Sequence, residues 1–134
     1  MGLVTRQNIS TDTPWEQLAG YSRAVRLGNA VWVAGTTASD ERGQVHGTDA
    51  AAQARYILSK IEAALGAAGA SLRDVVRTRV YVVDLADWEA VARVHGEVFG
   101  AIRPANTLVQ VAGLVGGRLV EIEADAVLGA APPT

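Results

Sequence analysis

From Val120 to Ala126 the chain reads VEIEADA: an apolar residue and a carboxylate alternate without a break. Successive side chains of a strand point to opposite faces, so Val120, Ile122, Ala124 and Ala126 share one face and Glu121, Glu123 and Asp125 the other. A sheet built on such a strand can be packed on one face only. Two helical stripes are available to cover it. Ala54, Ile57, Leu58, Ile61, Leu65 and Ala68 recur at three- and four-residue steps and predict a helix over 49–68. Thr48 or Asp49 can cap its start, and Gly69 follows its end. A second helix is predicted over 86–99, with Trp88, Val91, His95, Val98 and Phe99 on one side.

The remaining strands follow from composition and turns. Segments 21–27 and 30–36 are rich in Val, Trp and Tyr and flank Gly28-Asn29, a two-residue turn suited to positive φ, so they predict a hairpin. Segment 39–47 holds Asp, Glu, Ser and two Gly and predicts a loop. Ser71 and Asp74 have the spacing of a capping box on a short turn. Segment 75–83 sets Val76, Thr78, Val80 and Val82 against Arg77, Arg79, Tyr81 and Val83. Strands at 105–111 and 119–128, joined through Gly116-Gly117, make a second hairpin. The expected order is hairpin, helix, strand, helix, hairpin. That is an α+β two-layer fold, a β-sheet with two helices on one face. The other, charged face is either solvated or a subunit interface with cross-strand Arg–carboxylate pairs.

At 134 residues the chain fits a single domain over 1–134, and 49% hydrophobic residues suffice for a core. It has no cysteine, which excludes a disulfide framework, a thiol nucleophile and thiolate metal sites. Net charge is -2 with no Lys/Arg cluster, which argues against a nucleic-acid groove. No apolar run approaches the ~20 residues of a membrane span. MGLVTRQNIS lacks the apolar core of a secretion signal, so a soluble cytoplasmic protein is expected.

Few residues are candidates for chemistry. His46 falls in the polar loop and reads as solvated. His95, on an apolar stripe, reads either as a satisfied core histidine or as a base. Their separation gives no metal-ligand spacing. Glu121 is a carboxylate in an apolar strand beside Glu123. Such a group can have a raised pKa and move protons near neutral pH, or it can be an ion-pair partner of Arg77 or Arg79.

Four stretches carry a resemblance: GYSRAVRLGNAVWVAGTTA, AAQARYILSKIEAALGAAGASLRDVVRTRVYVVDLADWEAV, RPANTLVQVAGL and LVEIEADAVL. Over about residues 17–128 the chain resembles the Rid (reactive intermediate deaminase, or YjgF) family. The resemblance implies a chorismate-mutase-like α+β fold with a mixed β-sheet. It also implies a homotrimer whose sheets form a central barrel, with clefts between subunits. The implied activity is hydrolysis of enamines and imines such as 2-aminoacrylate to keto acids and ammonia, with no cofactor and no metal. Glu121 matches the acid/base glutamate, Tyr21 the pocket tyrosine and Gly35 a glycine whose backbone lines the pocket.

The pattern departs at four places. The arginine that grips the substrate carboxylate is Asn106, a pocket serine is Ala34, an asparagine is Ala92 and a cysteine is Leu108. An amide donates neutral hydrogen bonds worth about 1 kcal/mol, against about 1.5–3 for the charged fork of a guanidinium. An efficient 2-aminoacrylate deaminase is therefore not expected unless Arg79 or Arg103 substitutes. Three readings follow: a hydrolase of altered substrate, a non-catalytic trimer binding a small molecule, and an endoribonuclease. Acidic net charge disfavours the last.

Overall fold

The VEIEADA alternation becomes strand β6 (Val120–Val127). Val120, Ile122, Ala124 and Ala126 are buried, while Glu121, Glu123 and Asp125 are half-buried on the opposite face. The computed structural model describes residues 4–129, so the first three and last five residues of the 1–134 span lie outside the described residues. Five further strands complete one sheet: β1 (Arg6–Ile9), β2 (Ala24–Leu27), β3 (Ala30–Thr37), β4 (Val75–Val82) and β5 (Ala105–Gln110). Their order is β1-β2-β3-β6-β4-β5. All neighbours are antiparallel except β4 and β5, so the sheet is mixed.

The apolar face is covered by α2 (Ala50–Ala67) and α3 (Trp88–Phe99). The α2 stripe is fully inside, with Ala54, Ile57, Ile61 and Leu65 at 0% exposure. Each of its large side chains contributes about 1.5–3 kcal/mol by leaving water. Asp49 is the cap: its carboxylate accepts the amide of Ala52 at 2.8 Å. Gly69, at φ 84, takes the left-handed turn that ends the helix. The first hairpin forms as expected, with Leu27 opposite Ala30 across Gly28-Asn29.

The second hairpin does not form. β5 pairs in parallel with β4, and β6 inserts between β3 and β4. The helix between β4 and β5 is the reason. A strand–helix–strand crossover returns the chain to the end where it began, which makes the two strands parallel neighbours. Residues 111–119 then carry the chain past β4.

Smaller corrections have equally local causes. A register shift between Val75 and Arg77 buries Val75 and leaves Val76 39% exposed, so Val76 does not share the face of Thr78, Val80 and Val82. On α3, Val94 is buried and Trp88 is 52% exposed, because Trp88 opens the helix rather than facing the core. His46 is not free in its loop: it stacks on Tyr56 and sits 3.0 Å from the Asp40 carboxylate. Two elements were not anticipated, the edge strand β1 and the short helix α1 (Pro14–Ala19).

Candidate active site

The site begins with an irregularity in β3. Val33 pairs with Ala124 and Thr36 with Ile122, which leaves Ala34 and Gly35 outside the β3–β6 ladder. The Glu121 carboxyl lies directly over this bulge. A Cβ placed on Gly35 would sit 3.0 Å from Glu121 Cδ and 3.1 Å from Oε2. Glycine therefore gives the carboxyl its resting place, and any larger residue would lift it. Burial pushes the Glu121 carboxyl above its usual range. Glu123 pushes the same way, and the Arg23 charge partly opposes both.

Arg23 organises the surroundings. It is 4% exposed and donates to the Gly35 carbonyl at 2.8 Å and to Thr36 Oγ1 at 3.1 Å. It also donates to the Tyr21 hydroxyl at 3.4 Å. Its charge is met by Glu16, 3.5 Å away and 4% exposed. Burial alone would raise the Glu16 pKa. Hydrogen bonds from the Thr11 and Thr13 hydroxyls and the Thr11 amide, with Arg23 behind them, outweigh that and hold it at about 2. Helix α1 places this carboxylate: Thr13 caps it, Pro14 opens it, and Glu16 lies three residues after the cap.

Tyr21, Arg23, Gly35 and Glu121 line one cleft of about 260 Å³. Trp15, Leu18 and Val115 supply apolar walls, and Thr37, Ser39 and Lys60 supply polar ones. Tyr21 accepts from Arg23, so its own hydroxyl proton is free to donate to a ligand. The cleft thus combines a base of raised pKa, a phenol donor and a positioned backbone.

Asn106 is not in this cleft. With Ala92, Leu108 and His95 it lines a separate depression of about 180 Å³ beside β5. Its amide donates to Thr78 Oγ1 at 2.9 Å, and Thr78 Oγ1 lies 2.8 Å from His95 Nε2. Thr78 Oγ1 accepts from Asn106 and, with its own proton and a second lone pair, can pair with either tautomer of a neutral His95. Burial pushes the His95 pKa down, which favours the same state. His95 also packs against Phe99, with ring centroids 4.6 Å apart. It behaves as a satisfied histidine in the packing. Ala34 lies at the bulge beside Gly35.

The two arginines proposed as substitutes occupy different places. Arg79 pairs with Asp125 at 3.5 Å and Glu123 at 3.8 Å, not with Glu121. Its charge is used on the open face of the sheet, and Glu121 keeps no ion-pair partner among the described residues. Arg103 is exposed, at φ 59, and lines the Asn106 side with Pro104.

The profile of the endoribonuclease L-PSP family matches residues 11–128. The chain belongs to the Rid (YjgF) family. It is 41% identical over 106 residues to the 3-aminoacrylate deaminase RutC of Acinetobacter baylyi, covering 78% of this chain and 84% of that one. It is 33% identical over 130 residues to the 2-iminobutanoate/2-iminopropanoate deaminase of Rattus norvegicus, covering 96% and 95%. A YjgF/YER057c/UK114 family member from Mycobacterium tuberculosis shares 50% identity at TM-score 0.86, over 92% of this chain and 100% of that one. The chorismate-mutase-like α+β fold of the Rid family is the fold of this chain.

Several cleft residues escaped the sequence reading. Thr13-Pro14-Trp15-Glu16 is a capping-box pattern with proline at the first helical position, and it was a usable signal for α1. Lys60 looked like one more polar position on an amphipathic helix, and nothing in its spacing marks the cleft. Arg23 reads as one of two arginines in a hairpin, and its burial is visible only in three dimensions.

Proposed function

We propose that this protein hydrolyses a C=N bond of a small imine or enamine that does not rely on an α-carboxylate for binding. What carries the reading is Glu121, half-buried, without an ion pair among the described residues and resting on Gly35 in a cleft with Tyr21. Its carboxylate takes a proton from water while the water oxygen bonds to the imine carbon. The nitrogen receives that proton to give a carbinolamine, whose hydroxyl proton then passes by way of the same carboxylate to nitrogen as the C–N bond breaks, releasing ammonia and leaving a carbonyl; an enamine first tautomerises to its imine. Tyr21 holds a polar group of the ligand. No metal or redox step is required for this balance. The deaminase names of two relatives support the reaction class.

In the same reading three copies assemble, with Asn106, Ala92 and Leu108 of one subunit facing the Glu121 cleft of the next. Support comes from the separation of the two groups within one chain and from the open face carrying Arg79, Glu123 and Asp125. Light scattering is expected to give three times the 14.0 kDa of one chain. A mass of one chain would sink the assembly.

Ammonia release from a panel of imines with and without an α-carboxylate tests the function. The protein is expected to act on members without an α-carboxylate and poorly on 2-aminoacrylate. Asn106→Arg is expected to raise 2-aminoacrylate hydrolysis about ten-fold, the worth of one charge-assisted bond over a neutral one. The gain is partial because Ala34 and Ala92 also lack polar groups, and pocket residues are not additive. Wild-type activity on 2-aminoacrylate equal to that of the arginine variant would overturn the role given to Asn106. A non-catalytic binding trimer is the second reading. The depression around Asn106, walled by Ala92 and Leu108, favours it, and silence across the whole imine panel would select it.

A further inference from the structure

Lys60 is the only lysine in the chain. It projects from α2 to where two clefts meet, lining both the Glu121 cleft and a neighbouring one bounded by Ile9, Asp40 and Tyr56. Its ammonium donates to the Ser39 carbonyl. An ammonium has three donors, so two are left. Among the described residues it forms no ion pair.

A second cation stands behind it in the same condition. Arg118 is 7% exposed and also lacks an ion pair among the described residues. It donates to the Gly43 and Gly116 carbonyls at 2.5 and 2.8 Å and to Ser39 Oγ at 3.0 Å. Ser39 Oγ lies 2.9 Å from Thr37 Oγ1. Either hydroxyl can donate in that pair, and where Ser39 donates, the Thr37 proton is free for a ligand in the cleft. The charged groups around Lys60 are Arg23, paired with Glu16, then Glu121 in the one cleft and Asp40 and Glu41 in the other, none of them in an ion pair with the ammonium. A half-buried cation without a counter-ion costs free energy that an anionic ligand would offset.

We propose that Lys60 and Thr37 form an anion subsite, so that the substrate of the Glu121 cleft is a compound with a carboxylate held at Lys60 and an apolar body against Trp15, Leu18 and Val115. This rests on the hydrolase reading for the reaction and adds the substrate class. It places the acid group on α2 and β3 of the subunit that supplies Glu121. This acid group is distinct from the α-carboxylate whose anchor is absent at Asn106. Burial and then the Arg23 charge lower the Lys60 pKa, while Glu41, Glu16 and Asp40 oppose them.

The test uses 3-phenylpropionate and its neutral amide as probes, with binding read by calorimetry on the full chain. Wild type is expected to bind the acid in the range of about 1 mM or tighter and the amide at least ten-fold more weakly. Lys60→Met is expected to weaken the acid by ten-fold or more and leave the amide unchanged. Lys60→Arg, which keeps the charge, is expected to restore acid binding, so a folding defect is separated from a lost anchor. Equal binding of acid and amide by wild type overturns the proposal, as does acid binding that survives in Lys60→Met. Loss of acid binding in Arg103→Ala but not in Lys60→Met moves the anchor to the Asn106 side and also overturns it. Glu121→Gln, in the same assay, is expected to keep acid binding while losing ammonia release. Failure of the subsite and failure of the hydrolase reading are thus read on different instruments.

Discussion

Glu121→Gln is expected to lower ammonia release from the best imine substrate by about 10²–10⁴-fold, the usual worth of a positioned acid or base. Glutamine fills the same volume over Gly35 and keeps an acceptor, but it cannot take a proton from water. The fold is expected to survive intact. The raised pKa of Glu121 means that folding favours its neutral form, so its stabilising contribution is complete below pH 4.5 and fades as pH rises through the folded value. At pH 7 the ionised carboxylate is a burden that glutamine removes. The variant is therefore expected to melt no lower than wild type while being nearly inactive. In wild type the rate is expected to climb with pH as Glu121 ionises above the ordinary carboxylate range, and that limb to vanish in the variant. A variant that melts normally and keeps its rate shows that Glu121 is not the base.

The second large effect is structural. Arg23→Met leaves Glu16 buried without its counter-ion, at an expected cost of about 3–5 kcal/mol. For a domain of this size that is roughly 10–20 °C in melting temperature. The pH dependence identifies the cause. Glu16 is held at about 2 against its ordinary 4.5, worth about 3 kcal/mol of stability that is present above pH 4.5 and lost as pH falls through about 2. The gap between Arg23→Met and wild type is thus expected to be widest near neutral pH and to narrow as Glu16 is protonated. A gap constant from pH 7 to pH 3, measured by calorimetric melting, would show that Arg23 acts through packing alone. The same substitution frees the Gly35 carbonyl and Tyr21, so what activity remains is expected to show a raised KM.

How much of this was legible in the residues depends on how local each signal is. The β6 alternation and the α2 stripe repeat over several turns and survive any tertiary arrangement, so the two-layer plan followed from them. Topology did not. Nothing local in RPANTLVQV says that β5 pairs with β4, and Gly116-Gly117 looked like a hairpin turn. The resemblance pointed to Tyr21, Gly35 and Glu121, and the structure gathers those three into one cleft. Arg23, Lys60 and Arg118 were not legible. A buried cation and a solvated one look identical in sequence, and only packing decides which is which.

The sheet also ends differently on its two sides. β1 closes one margin with Arg6, a charge that discourages another strand from docking there. β5 closes the other with ANTLVQ, six residues without a charge and with one row of backbone donors and acceptors unclaimed by any strand among the described residues. The parallel crossover that puts β5 outermost therefore gives the protein one guarded rim and one open rim. Strand-to-strand self-association, whether productive or as a route to precipitation on concentration, starts from the β5 rim.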